Sequence, residues 1–159
     1  MEIRKIEEKD NRQVAHLIRS ILEDMGVPKV GTAYADTALD DMHKTYQKPR
    51  STFYVILLGH AIVACGGIAP LLNYNGNLCE LQKLYVSKIH RGKGLAKKIL
   101  SACIATAKDF GFEGCYLETM PNMKVAQQLY LKNGFEFVKE PLGDTGHSAC
   151  SIRMLKNFG

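Results

Sequence analysis

The chain has 159 residues, of which 46% are hydrophobic and 23% charged, a balance that excludes a disordered polyelectrolyte and supplies one sizeable core without disulfides or a structural metal. Its net charge of +5 is dispersed except at His90, Arg91, Lys93, Lys97 and Lys98, which argues against a broad nucleic-acid surface and for a small polyanionic ligand. The longest apolar stretch, 53–72, is broken by Gly59, His60, Gly66, Gly67 and Pro70, so it cannot make a membrane-spanning helix of about 20 residues. The opening MEIRKIEEKD alternates charge with apolar residues, unlike a signal peptide, and the expectation is a cytoplasmic chain forming one domain over residues 1–159.

In chain order, residues 2–7 read as a short strand anchored by Ile3 and Ile6, followed by Asp10 as a helix N-cap. Val14, Leu17, Ile18, Ile21, Leu22 and Met25 repeat at helical spacing until Gly26 ends the pattern. Residues 27–35 contain Pro28 and Gly31 and show no period. Ala38, Leu39, Met42 and Tyr46 predict a second, weaker helix stopped before Pro49. Residues 52–58 and 61–71 are β-branched and apolar runs joined at Gly59-His60, which predicts an antiparallel hairpin. Asn73, Asn75, Gly76 and Asn77 make a turn, and 78–87 is a further strand. From Gly94 a helix runs with Leu95, Ile99, Cys103, Ala107 and Phe110 on one face, ended by Gly111. Residues 115–119 read as a strand, 122–133 as a helix closed by Gly134, 135–138 as a short strand, and a last strand falls between 148 and 155. This order predicts a mixed α/β sheet with helices on its faces.

Cys65, Cys79, Cys103, Cys115 and Cys150 are odd in number, contain no CxxC pair and mostly sit in apolar runs, as reduced core thiols do. His147 and Cys150 have no second pair at ligand spacing, so a zinc site is unsupported and no metal is expected. A Cys150–His147 nucleophile would require the two side chains to face each other, and the reading is structural.

The most informative segment is the one where the strand at Leu84, Tyr85 and Val86 gives way to His90-Arg91-Gly92-Lys93-Gly94-Leu95-Ala96. A helix start presents unpaired N–H groups and the positive end of the helix dipole, and glycines let a phosphate approach the backbone. The turn is neither a Walker A loop nor a GxGxxG fingerprint. By itself it reads equally as a glycine-rich connection with solvated Lys and Arg. Its pattern, however, resembles the acetyl-CoA signature of the GNAT superfamily of N-acetyltransferases, [Gln/Arg]-x-x-Gly-x-[Gly/Ala], at Arg91, Gly94 and Ala96. Upstream, Glu80-Leu81-Gln82-Lys83-Leu84-Tyr85-Val86 resembles the strand before that turn. Downstream, Asn122, Ala126, Leu129, Tyr130, Lys132, Gly134 and Phe135 resemble the family's N-x-x-x-A-x-x-L-Y-x-K-x-G-F helix. The motif-level match is confined to about residues 80–135.

The resemblance implies a mostly antiparallel GNAT-like sheet of about seven strands flanked by about four helices, with acetyl-CoA as the acetyl donor and a primary amine as the acceptor. The backbone of Leu84, Tyr85 and Val86 would hold the acetyl and pantetheine groups. The turn of Arg91, Gly92, Lys93, Gly94, Leu95 and Ala96 would hold the pyrophosphate, and Asn122 and Ala126 would line the other side. An alkylamine is mostly protonated at neutral pH, so transfer needs a proton acceptor. Glu80, flanked by Leu78, Leu81 and Leu84, is the candidate base, directly or through a water, with Glu118 in reserve; taken alone, Glu80 also reads as a solvent-facing strand carboxylate. Tyr130 is the candidate acid for the departing thiolate, and also reads as a core-edge tyrosine. Backbone N–H groups at Tyr85 and Val86 would steady the developing oxyanion if the strand is locally splayed. Tyr34, Tyr74 and Asp144 are the acceptor-binding candidates on the loops. A non-catalytic acyl-CoA-binding module is the alternative, nucleic acid and membrane are not expected partners, and a homodimer is an expectation from the frequency of symmetric enzymes.

Overall fold

The computed structural model describes residues 1–26, 28–30, 33–146 and 149–159. Its strands are β1 (Glu2–Lys5), β2 (Thr52–Leu58), β3 (Ala61–Pro70), β4 (Leu78–Val86), β5 (Gly114–Thr119), β6 (Glu136–Val138) and β7 (Ile152–Asn157). They form one sheet in the order β1-β2-β3-β4-β5-β7-β6. Neighbours are antiparallel except for β4 and β5, whose parallel pairing needs a crossover element between them. That element is α3 (Leu95–Asp109); the other α-helices among the described residues are α1 (Asn11–Asp24), α2 (Met42–Thr45) and α4 (Lys124–Lys132). The mixed, mostly antiparallel seven-stranded sheet expected from the sequence is the one observed.

Helical spacing accounts for the two layers. Val14, Ile18 and Leu22 of α1 are buried with Leu39, Met42, Phe53, Val55 and Cys65 on one face of the sheet. On the other face Ile99, Leu100 and Cys103 of α3 and Tyr130 of α4 pack with Ile68, Leu81, Leu117 and Met154. Gly26, Gly111 and Gly134 follow α1, α3 and α4 with φ between 66° and 89°, the left-handed conformation that stops a helix at little cost for glycine.

Three local expectations change. Asp10 does precede α1, but its carboxylate makes no cap bond there; it takes both Arg4 guanidinium nitrogens at 2.7 and 3.1 Å and the Glu7 N–H at 2.8 Å, because a buried charge needs a charged partner more than a helix end needs a cap. The second helix is a 3-10 turn, Thr37–Asp41, leading into the single α-turn of α2, although Leu39, Met42 and Tyr46 are buried as their spacing predicts. The last strand runs Ile152–Asn157, later than expected, and Ser148 lies outside the described residues.

The irregularity that matters most is in β4. Gly67 pairs with Gln82 and Cys65 with Tyr85, so one residue of β3 faces two of β4. This is a β-bulge, and Lys83 occupies it with φ 56°. Before the bulge Leu81 packs in the α3 layer, while Gln82 reaches the α2 side; after it the alternation inverts, with Tyr85 on the α1 side and Leu84 against the α3 layer. Beside the bulge, Gly67 is packed so closely that a Cβ would lie 2.5 Å from the Thr52 carbonyl oxygen and 3.1 Å from the Phe53 Cα. These are backbone atoms of β2 and cannot rotate away, so Gly67→Ala is expected to destabilise the fold by about 1–3 kcal/mol. Urea unfolding tests this, and an unchanged midpoint would mean that the β2–β3 spacing gives more freely than the packing implies.

Candidate active site

β4 and β5 pair only at Leu78–Gly114, Cys79–Cys115 and Glu80–Tyr116, although both continue. Beyond Glu80 they part, and a narrow slot opens between them. Glu80, Gln82, Lys83 and Tyr85 line it from β4, Glu118 and Thr119 from β5, and Leu22, Met120, Met123 and Cys150 close it. The splay that backbone donation to an oxyanion requires is therefore present, beside Tyr85.

Glu80 is 4% exposed, and burial pushes its carboxyl up to about 7, against the opposing effects of a hydrogen bond from Gln82 and the charge of Lys83. A carboxyl in that range can both lose and gain a proton near neutral pH. Glu118 shares the slot, but its two oxygens accept from the hydroxyls of Tyr116 and Thr145, each at 2.5 Å. The Lys83 ammonium, 4% exposed, is paired with Asp36 at 3.0 Å. Tyr46 donates to Gln82. Cys150 faces the slot, and burial pushes its thiol up to about 11, which suppresses the thiolate; His147 lies outside the described residues.

The basic turn follows β4 as expected. Gly92 and Gly94 both have φ 77°, and a Cβ on either would meet nothing within 4 Å, so these positions are open on the outside and strained for any other residue. Gly94 precedes α3 with no side-chain cap, which leaves the first-turn N–H groups of Leu95 and Ala96 without partners inside the helix. Arg91 Nε donates to the Val86 carbonyl at 3.3 Å, tying the turn to the end of β4, while Arg91 and Lys93 are exposed. A cradle of open N–H groups with added positive charge is what a pyrophosphate requires.

The sequence model of the acetyltransferase (GNAT) family matches residues 15–135. Over 157 residues the chain is 39% identical to the N-acetyltransferase YjgM of Escherichia coli K12, covering 98% of this chain and 94% of that one. It is 29% identical over 156 residues to the N-acetyltransferase YsnE of Bacillus subtilis 168, covering 97% and 98%. The chain belongs to the acetyltransferase (GNAT) family. Solved structures agree in fold: a GNAT-family acetyltransferase from Staphylococcus aureus Mu50 superposes with a TM-score of 0.89 at 23% identity over 99% of both chains. The PaiA N-acetyltransferase of Thermoplasma acidophilum, determined with coenzyme A, gives 0.78 at 18% identity over 99% and 98%. The protein is thus an N-acetyltransferase of the kind that takes its acetyl group from acetyl-CoA.

Within this acetyltransferase the other expected site residues are spread out. Tyr130 is 6% exposed, its ring 5.7 Å from that of Phe135; it lies in the α3 layer, outside the slot lining, yet within electrostatic reach of Tyr85. Burial pushes its hydroxyl upward, so it remains protonated. Ala126 packs against the same layer and Asn122 is exposed just before α4. Tyr34 donates to Glu23 at 2.7 Å, Tyr74 packs beside Leu71, Leu78 and Tyr116, and Asp144 accepts from the Gly146 N–H; none of the three lines the slot. Gln82, Lys83, Tyr46 and Asp36 had no role assigned from sequence. Their signal was two long polar residues, Gln82 and Lys83, side by side in a central strand, which strict alternation cannot bury on one face.

The raised Glu80 carboxyl links stability to pH. A group that binds its proton more tightly folded than unfolded costs stability as pH climbs from its unfolded value of about 4.5 through about 7. Glu80→Gln removes that cost, so its stability relative to the parent should rise across this window by on the order of 3 kcal/mol. Urea unfolding at pH 4.5 and pH 8 checks this, and a difference that stays constant with pH would show that Glu80 does not carry the shift.

Proposed function

We propose that the acetyltransferase, reading as one catalytic domain over residues 1–159, transfers the acetyl group of acetyl-CoA directly to a primary amine, with Glu80 as general base and Tyr130 as general acid. The observation that carries this reading is the buried Glu80 carboxyl, pushed up to about 7, in a slot between parted strands that lead to an open glycine turn. Acetyl-CoA supplies an activated thioester. The residues that would hold it are Leu84, Tyr85 and Val86 along the pantetheine arm, and Arg91, Gly92, Lys93, Gly94, Leu95 and Ala96 at the pyrophosphate, with Asn122 and Ala126 opposite. The open Cβ positions at Gly92 and Gly94 fit that assignment.

Glu80 takes the proton that the amine must lose, directly or through a water, and the apolar Leu22, Met120 and Met123 around it keep bulk solvent from competing. Tyr130, held protonated by burial, has the proton to give at the sulfur side. The free thiols, buried at Cys65, Cys79, Cys103 and Cys115 and half-buried at Cys150, support a cytoplasmic setting for this activity.

Isothermal titration with acetyl-CoA, ATP and NAD should give selective acetyl-CoA binding, weakened at least about tenfold in Gly94→Glu, where a carboxylate at a left-handed position repels the phosphates. An amine screen following thiol release should then find acceptors for which Glu80→Gln and Tyr130→Phe each lower kcat by about 10²–10⁴. Acetyl-CoA binding without transfer to any amine would favour the non-catalytic module, and a preference for ATP or NAD would refute the proposed site.

A further inference from the structure

Gln82 stands two residues beyond Glu80 on β4, and its amide is engaged at both ends. Nε2 donates to Glu80 Oε1 at 2.5 Å, and Oε1 accepts from the Tyr46 hydroxyl. Tyr46 is 4% exposed, directly follows α2, and sets its ring 4.9 Å from that of Phe53 at a 41° tilt. Burial pushes its hydroxyl well above the ordinary phenol range, so it keeps its proton and serves as a donor. An amide has one accepting and one donating end. A donor fixed at Oε1 therefore turns the NH₂ group toward Glu80, where it supports the carboxylate; an amide turned over would present a carbonyl and support the protonated acid.

We propose that Tyr46 and Gln82 form a positioning chain that orients the Glu80 carboxylate in the slot and holds it in its ionised, base-competent form. The proposal rests on Glu80 being the base. The other groups acting on Glu80 are Lys83 on its own strand, which favours the charge, and Glu118 of β5 and Asp36 of the segment before α2, which oppose it. Cys115 and Cys150 are also within electrostatic reach. Tyr46 and Asp36 both come from the segment between α1 and β2, so one stretch of chain fixes Gln82 through Tyr46 and Lys83 through Asp36. Tyr46 stands behind the slot lining and Gln82 on it, and the two act on the reacting atoms only through Glu80.

The test uses the full protein labelled with ¹³C at glutamate side-chain carboxyls, with the Glu80 resonance assigned by its loss in Glu80→Gln. The parent midpoint is expected near 7, moving upward by about one pH unit or more in Tyr46→Phe and in Gln82→Met, since a hydrogen bond to the charged form is lost or reversed. Tyr46→Phe keeps the ring against Phe53 and removes the hydroxyl alone, and Gln82→Met reports independently should either variant fold poorly. The acid limb of acetyl transfer to an amine from the screen should move by the same amount, with the KM for acetyl-CoA changed less than about twofold. An unshifted midpoint in the folded variants, together with a disabled Glu80→Gln enzyme, overturns the positioning chain and leaves the base in place. Full transfer activity in Glu80→Gln overturns both.

Discussion

The left-handed backbone of Lys83 is the constraint on which the site depends. A residue with a Cβ pays on the order of 1–2 kcal/mol for that conformation, and it persists because its neighbours leave no alternative. Asp36 grips the Lys83 ammonium at 3.0 Å, Cys65 donates its thiol to the Lys83 carbonyl at 3.5 Å, and Gly66 and Gly67 give the opposing strand no side chains to collide with. The extra residue inverts the alternation of β4, so Gln82, Lys83 and Tyr85 can all reach the slot while Leu84 stays in the α3 layer. With that twist β4 leaves β5 after Glu80, and a continuous ladder becomes a slot with a carboxyl at its root.

The two ends of this slot differ in electrostatic character. At the turn the positive groups are exposed and the glycine backbone is open, which suits a polyanion that arrives with its own counterions. Inside, the one cation on the lining among the described residues, Lys83, is already paired with Asp36, which leaves Glu80 and Glu118 to set the local field. The burial that raises the Glu80 carboxyl also keeps bulk water from it.

Much of the fold was legible because its signals are local. Val14, Ile18, Ile99 and Cys103 announce their helices by spacing, and Gly26, Gly111 and Gly134 mark where those helices stop. The turn at Gly92 and Gly94 and the carboxyl of Glu80 were legible for the same reason, each lying inside a short pattern that resembles a family signature. Asp10 misled because its sequence position suits a cap, whereas its partner, Arg4, is fixed by the fold. Tyr46, Gln82 and Asp36 were silent because their significance lies in contacts across 36 or more residues, which no local period encodes. Tyr34, Tyr74 and Asp144 have side chains suited to an amine, but loop residues carry no period that says where they point, and theirs meet Glu23, the β3–β4 end and the Gly146 N–H.

Two carboxylates share the slot, and their hydrogen bonds argue for different duties. Glu118 accepts on both oxygens, from Tyr116 and Thr145; Tyr116 in turn accepts from the Leu142 N–H at 3.2 Å, and the Asp144 N–H reaches the Leu72 carbonyl at 2.8 Å. That arrangement ties residues 142–145 to the end of β5 through both oxygens of Glu118. Among the described residues Glu80 accepts at one oxygen, from Gln82, and at its other oxygen from none. A base must change protonation in every cycle without dismantling its surroundings. On that ground the proposed proton transfer falls to Glu80, while Glu118, with both oxygens engaged, ties Thr145 and Tyr116 at the wall of the slot.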